Sequence, residues 1–402
     1  MQNTSNSGPL AGVRVVDFST LLPGPYASML LVNMGADVVK VESPTRPDLV
    51  KVLPPMVGDQ SAADLQLNRG KRSIAVDLKT QAGREIAHKL IAESDVLLEQ
   101  FRPGVMERLG LGYKAVSARA PALVYCSLTG YGQTGPWAHR AGHDINYLSI
   151  AGVSSYTGRI GDAPVPHGIQ WADIAGGSHH AVMGILAALL ESRASGAGSH
   201  IDISMTDAMF AMNGVAGAAA LATGIDPAPQ SEMLNGGSFY DYYRCADGAF
   251  LAVGGLEPQF VKTLAELLGR PDLLGLQELH NESNQRSLKF ELQVIFAEKP
   301  RGHWLVLFGD ADVCITPVLT INEAADHEQL RARHMTVPVN DRSEPQLGDP
   351  IKFLPLVNEP RVYSGAPKLG EHSAQELLRL GYSETDISEL QARGIVKALS
   401  PD

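Results

Sequence analysis

The chain has 402 residues, 44% of them hydrophobic and 19% charged, and its 33 Lys and Arg against 44 Asp and Glu leave a formal net charge of −11. That is enough apolar material for a large core in more than one domain, and the acidic balance argues against a nucleic-acid partner. Cys126, Cys245 and Cys314 lie far apart with no CxxC spacing, so neither a disulfide framework nor a zinc site is indicated. Apolar, β-rich runs then follow one another at residues 13–17, 37–41, 73–77, 96–98 and 123–127, with helical stretches between them. Strand then crossover, repeated, predicts a parallel sheet with helices on its faces. Next come Gly142-His143-Asp144-Ile145-Asn146-Tyr147, opening a short helix that ends at Gly152, and Asp173 within Trp171-Ala172-Asp173-Ile174-Ala175-Gly176-Gly177. The apolar stretch 181–190 reads as a buried helix of a soluble protein, because Glu191 and Arg193 cut it short of a membrane span.

Ala, Gly, Pro and Asn accumulate at 219–236, which marks a boundary. Residues 237–253 read as a hairpin turning at Asp247-Gly248. Phe260, Leu264 and Leu267, then Leu288, Leu292 and Phe296, recur at helical spacing and read as core. From Thr336 the chain is Pro- and loop-rich, and it closes on an amphipathic helix over 384–392. Residues 1–8 lack the regions of a signal peptide and the final Leu399-Ser400-Pro401-Asp402 is not a peroxisomal signal, so the expected location is cytoplasmic.

His143 and Asp173 are the candidate acid–base residues. Each sits where a helix begins, in the positive field of the helix end, which disfavours imidazolium and favours carboxylate; the expectation is a neutral His143 and an ionised Asp173. Free N–H groups beside Asp144 could hold a developing oxyanion. On spacing alone, Asp173 reads equally as a helix cap and His143 as a hydrogen-bonded turn residue. A polyanionic ligand would need basic residues gathered locally on so acidic a chain, and Lys40, Arg69, Lys71, Arg72 and Arg102 supply them, Lys40 and Arg102 at strand ends. Ser178-His179-His180 is no metal site, since adjacent helical histidines diverge by about 100°. Gly130-Tyr131-Gly132-Gln133-Thr134-Gly135 runs into Pro136, which suits a loop covering a substrate better than a dinucleotide turn.

Ordered blocks carry a resemblance across nearly the whole chain: Pro9-Leu10-Ala11-Gly12-Val13-Arg14-Val15-Val16-Asp17, Gly35-Ala36-Asp37-Val38-Val39-Lys40-Val41-Glu42, Phe101-Arg102-Pro103-Gly104, Ser127-Leu128-Thr129-Gly130-Tyr131-Gly132 and Pro367-Lys368-Leu369-Gly370-Glu371-His372. They resemble the family III CoA-transferases of the CaiB/BaiF type and their relatives, the α-methylacyl-CoA racemases. The resemblance implies an α/β fold: a Rossmann-like parallel-sheet large domain plus a smaller α+β domain in an interlocked homodimer. Its expected divisions are a large domain over 1–225, a small domain over 226–335 and a segment 336–402 that returns to the large domain. The Gly142-to-Tyr147 block is similar to the racemase version, in which the histidine and the aspartate at Asp173 are two bases, and Glu257 matches a glutamate paired with that histidine. Leu22 stands where well-known transferases have glutamine; Ser43 and Ala172 stand where racemases usually have arginine and glycine.

What this implies is α-proton removal from a 2-methylacyl-CoA thioester by one base, an enolate held by backbone donors around Asp144, and reprotonation by the other base. Coenzyme A enters as part of the substrate; no bound cofactor or metal, nucleic acid or membrane is implied. The alternative is a CoA-transferase moving CoA between carboxylic acids, with Asp173 as the nucleophile.

Overall fold

The computed structural model of the chain describes residues 8–340, 344–353 and 362–399. Five of the apolar runs form strands β1 (Arg14–Asp17), β2 (Asp37–Glu42), β3 (Arg72–Val76), β4 (Val96–Glu99) and β5 (Val124–Thr129), and β6 (His200–Ser204) follows much later. They pair in parallel in the order β3-β2-β1-β4-β5-β6, and the short strand Val396–Lys397 joins the β3 edge in the antiparallel sense. Almost every residue of β2 to β5 is buried, as parallel strands covered on both faces must be. The strand order reverses between β1 and β4, so the loops leaving their carboxyl ends diverge, and a doubly wound sheet opens its ligand crevice there.

On one face, Val16, Val39, Ile74 and Leu97 pack with Ile86 and Leu90 of α2 (Gln81–Ala92) and with Leu377, Ile387 and Leu390 from the C-terminal helices. On the other lie α1 (Pro23–Asn33) and a long helix that begins as the π-helical turns Ala172–His179 and continues as an α-helix (His180–Ser195). Glu191 and Arg193 do not cut this helix short, because both are exposed; Gly196, left-handed at φ 75°, ends it. By length and composition Ala172–Ser195 could cross a membrane, but half of its most apolar stretch is buried, packed on α1 and on β5 and β6.

The chain divides into two compact units, one of Met1–Leu148, Gly168–Met209 and Glu328–Asp402, the other of Ser149–His167 and Phe210–His327. This differs from the expected contiguous division at residue 225. Composition marks only the loop at 219–236, whereas contacts draw in two earlier excursions: Tyr156 donates its hydroxyl to Asn213 Oδ1 at 2.5 Å, and Asn213 Nδ2 donates to the Ala151 carbonyl at 3.1 Å. In the smaller unit β7 (Asp241–Arg244), β8 (Phe250–Val253) and β9 (Ile315–Pro317) make an antiparallel sheet in the order β9-β8-β7. Its hairpin turns at Asp247-Gly248, where φ of 82° calls for glycine. Tyr243, Leu251, Leu264, Leu292, Phe296 and Trp304 form its core.

Candidate active site

At the carboxyl ends of β1, β4 and β5 lies a cavity of about 270 Å³, the place the strand order reserves for a ligand. Leu21 and Pro23 line it after β1, Gln100 and Arg102 after β4, and Thr129, Gly130 and Tyr131 at the end of β5. His143, Tyr147 and Asp173 complete it, so the two candidate acid–base residues, thirty positions apart in sequence, share one chamber.

His143 immediately precedes α3 (Asp144–Ile150). Its N–H donates to Asn146 Oδ1 at 3.0 Å while its carbonyl accepts the Asn146 N–H at 2.8 Å, a reciprocal cap that holds the residue at the helix mouth. Tyr147 folds back and donates its hydroxyl to the Gly142 carbonyl at 2.5 Å. That fold requires glycine at two places: a Cβ on Gly142 would lie 2.6 Å from the Tyr147 ring, and one on Gly130 only 2.3 Å from it. The histidine is therefore carried on a loop pinned from both sides.

Asp173 lies in the first turn of the π-helical segment. Asp144 Oδ1 accepts the N–H of Ala172 at 2.6 Å and that of Asp173 at 3.1 Å, so the carboxylate beside His143 caps the helix that carries Asp173. This adds a side-chain part to the backbone one expected around Asp144. Its side chain takes up two helix-end donors and orients the second acid–base residue, which makes it a positioning residue. His180 Nδ1 lies 2.7 Å from the Ala175 carbonyl, giving the widened turn a partner; π turns of this kind recur at functional sites.

Asp173 is corrected in its charge. Burial pushes its carboxyl up to about 7, with the Asp144 carboxylate adding to the effect, so desolvation and a like charge outweigh the favourable helix-end field. Near neutral pH it exists in both protonation states, which suits a group that must accept a proton in one direction and deliver it in the other. Tyr147 is held as the phenol for related reasons, burial first and the neighbouring Asp173 second.

Of the five basic residues expected to gather phosphates, only Arg102 lines the cavity. Lys40 is fully buried, donating to the Ser19 carbonyl at 2.7 Å and lying 3.2 Å from Asp48. Lys71 donates to the Pro25 carbonyl and Asn68 Oδ1, both at 2.9 Å, with Asp17 3.7 Å away. Arg69 donates to the Leu347 carbonyl at 2.6 Å and stacks on Tyr363, and Arg72 pairs with Asp37 and Glu376. These four make contacts within the protein and do not line this cavity. They shape the site indirectly. Asp48, beside Lys40, accepts the Leu21 N–H at 2.9 Å and holds Leu21 in the left-handed region at φ 60°, a conformation that strains a leucine. Leu21, not Leu22, faces the cavity.

Arg140 also lines the cavity, its guanidinium 3.9 Å over the Trp137 ring. It escaped sequence reasoning, as did Gln100, because neither belongs to a recognisable pattern. Tyr131, in the loop expected to cover a substrate, forms part of the wall. His179 faces Tyr26, 6.0 Å between ring centres, and among the described residues no group of three or more His, Cys, Asp or Glu is placed to hold a metal ion.

The profile of CoA-transferase family III matches residues 10–373. The chain belongs to CoA-transferase family III. Among the relatives of this family III chain, the α-methylacyl-CoA racemase of Homo sapiens is 36% identical over 396 residues, covering 97% of this chain and 98% of its own. The acetyl-CoA:oxalate CoA-transferase of Acetobacter aceti is 35% identical, covering 91% and 94%. The crystal structure of a CaiB/BaiF family protein from Brucella suis superposes with a TM-score of 0.81 at 31% identity, over 93% of this chain and 99% of that one. Membership makes the chain an enzyme of a family that includes both racemases and CoA-transferases and handles acyl-CoA thioesters. Glu257 belongs to the smaller unit, exposed, just before Pro258 opens the helix Pro258–Leu267.

Proposed function

We propose that this family III enzyme racemises 2-methylacyl-CoA thioesters by α-proton removal and return. The observation that carries the reading is the presence of His143 and Asp173 on one cavity, with Asp173 able to exist as acid and as base near pH 7. One of them takes the α-proton as the C–H electron pair moves toward the thioester carbonyl oxygen; the other delivers a proton to the opposite face of the planar enolate. The bases exchange roles with the enantiomer that binds. Asp144 keeps Asp173 in place, Asn146 and Tyr147 keep His143 in place, and Arg102 and Arg140 are the cations on the cavity wall for a CoA phosphate. Coenzyme A is part of the substrate, and proton transfer of this kind calls for no bound cofactor or metal. We also propose an interlocked homodimer in the cytoplasm, with Glu257 of one copy approaching His143 of the other.

The second reading, CoA transfer with Asp173 as nucleophile, has support in the relatives named as transferases, such as the acetyl-CoA:oxalate enzyme. The two separate in deuterated water with an enantiopure 2-methylacyl-CoA. Racemisation incorporates α-deuterium with no added acid. A thioester that stays unlabelled, and loses its CoA only when a free carboxylate is added, supports transfer and overturns the racemase reading.

A further inference from the structure

Thr129 ends β5, lines the cavity with His143 and Asp173, and is only 6% exposed. Its Oγ1 is shut off from water and has no hydrogen-bond partner among the described residues. The neighbouring hydroxyls are all engaged: Ser127 Oγ meets His200 Nε2 at 2.9 Å, Ser178 donates to the Pro23 carbonyl at 2.6 Å and Thr206 to the Gly130 carbonyl at 2.7 Å. Native proteins seldom leave a buried hydroxyl unpaired, and the exceptions call for an explanation. Here the hydroxyl belongs to a side chain on the wall of a ligand cavity, and one staggered step about χ1 exchanges the hydroxyl and the methyl as the group presented to it.

We propose that Thr129 is a catalytic residue whose hydroxyl donates a hydrogen bond to the thioester carbonyl oxygen of the bound acyl-CoA. The inference rests on the reading of this cavity as an acyl-CoA site. As a base takes the α-proton, the former C–H pair becomes the C=C bond and the carbonyl π pair moves onto oxygen; Thr129 keeps its proton and stabilises that charge. Asp144 engages the N–H groups of Ala172 and Asp173, which removes those two as donors to substrate; Thr129, on the same cavity wall, adds a side-chain donor to the helix-end N–H groups expected around Asp144. If the chemistry were acyl transfer to Asp173, the same oxygen would bear the charge of the tetrahedral adduct and the same donor would serve.

The test compares Thr129→Val, which keeps the shape without the hydroxyl, with Thr129→Ser, which keeps the hydroxyl. Thr129→Val should lower kcat for α-deuterium exchange by roughly 10²-fold with little change in KM, the loss typical of one oxyanion donor, and Thr129→Ser should recover most of it. Thr129→Val should also melt no lower than the wild type, since it removes an unpaired polar group. Binding of a 2-methylacyl-CoA and of the S-alkyl-CoA thioether of the same chain, measured calorimetrically, reads the contact as an affinity instead of a rate: the wild type should prefer the thioester and Thr129→Val should lose that preference. A wild type that keeps the preference yet neither exchanges nor transfers sinks the functional reading while this assignment stands. Wild-type kcat in Thr129→Val, an unaltered thioester preference, or a lowered melting temperature overturns the assignment.

Discussion

Replacing Asp173 by Asn should make the protein more stable at pH 8 and unable to interconvert enantiomers at any pH. In the fold the carboxyl titrates at about 7 instead of 3.8, because burial and Asp144 penalise its charge. An acid whose folded value is raised holds its proton in the native state while the unfolded chain has lost it. Stability is therefore fully present below pH 4, falls as pH rises, and reaches its lower level above pH 7. About three units at about 1.4 kcal/mol each give a penalty of up to about 4 kcal/mol at pH 8. Asn fills the same volume without a charge. Urea unfolding followed by circular dichroism at pH 4 and pH 8 should show a small difference between variant and wild type at the lower pH and a gain of up to about 4 kcal/mol at the higher. A gain independent of pH, or a variant less stable at pH 8, would show that Asp173 is not held near neutrality by its surroundings. The price of function at this position is then visible as lost stability.

Glu99, buried where β4 meets the cavity loop, accepts the Phe101 N–H at 2.8 Å and is pushed up from 4.5 to about 7 by desolvation. Glu99→Gln should therefore stabilise by up to about 3 kcal/mol above pH 7 and change little near pH 4, as thermal melts at the two pH values would show. Gly142→Ala drives a Cβ into the Tyr147 ring and shifts His143; kcat should fall at least tenfold, with the Tyr147→Phe variant, which loses only the Gly142 hydrogen bond, falling less in the same assay. Arg102→Gln should raise KM for acyl-CoA, and the penalty should shrink as salt rises. Lys71→Met should instead lower the melting temperature, because it leaves the Pro25 carbonyl and Asn68 Oδ1 without their buried donor.

Much of the larger unit was legible because parallel strands read as unbroken apolar runs: β1 to β5 fall within a residue or two of the predicted segments. β6 was not, since His200-Ile201-Asp202-Ile203 is an edge strand with exposed polar positions and offers no such run. The meeting of His143 and Asp173 in one cavity was expected from the family resemblance, since their local surroundings read equally as a helix cap and a turn residue. The hydrogen bonds from Ala172 and Asp173 to Asp144 were not, because a carboxylate capping a helix 28 residues away leaves no local pattern. Lys40 and Lys71 misled for a related reason. A lysine beside a strand reads as a surface charge, and only the fold reveals the aspartates that pair with it inside. The charge of Asp173 likewise depends on burial, which sequence position does not convey.

Exchange of the α-hydrogen in each enantiomer by His143→Ala and Asp173→Ala, measured separately in deuterated water, tests the two-base arrangement most directly. Each variant should lose exchange with the enantiomer whose proton its missing base removes, keep exchange with the other, and interconvert neither. Equal loss of both enantiomers in one variant with none in the other, or a wild type that incorporates no deuterium without an acid acceptor, would contradict it.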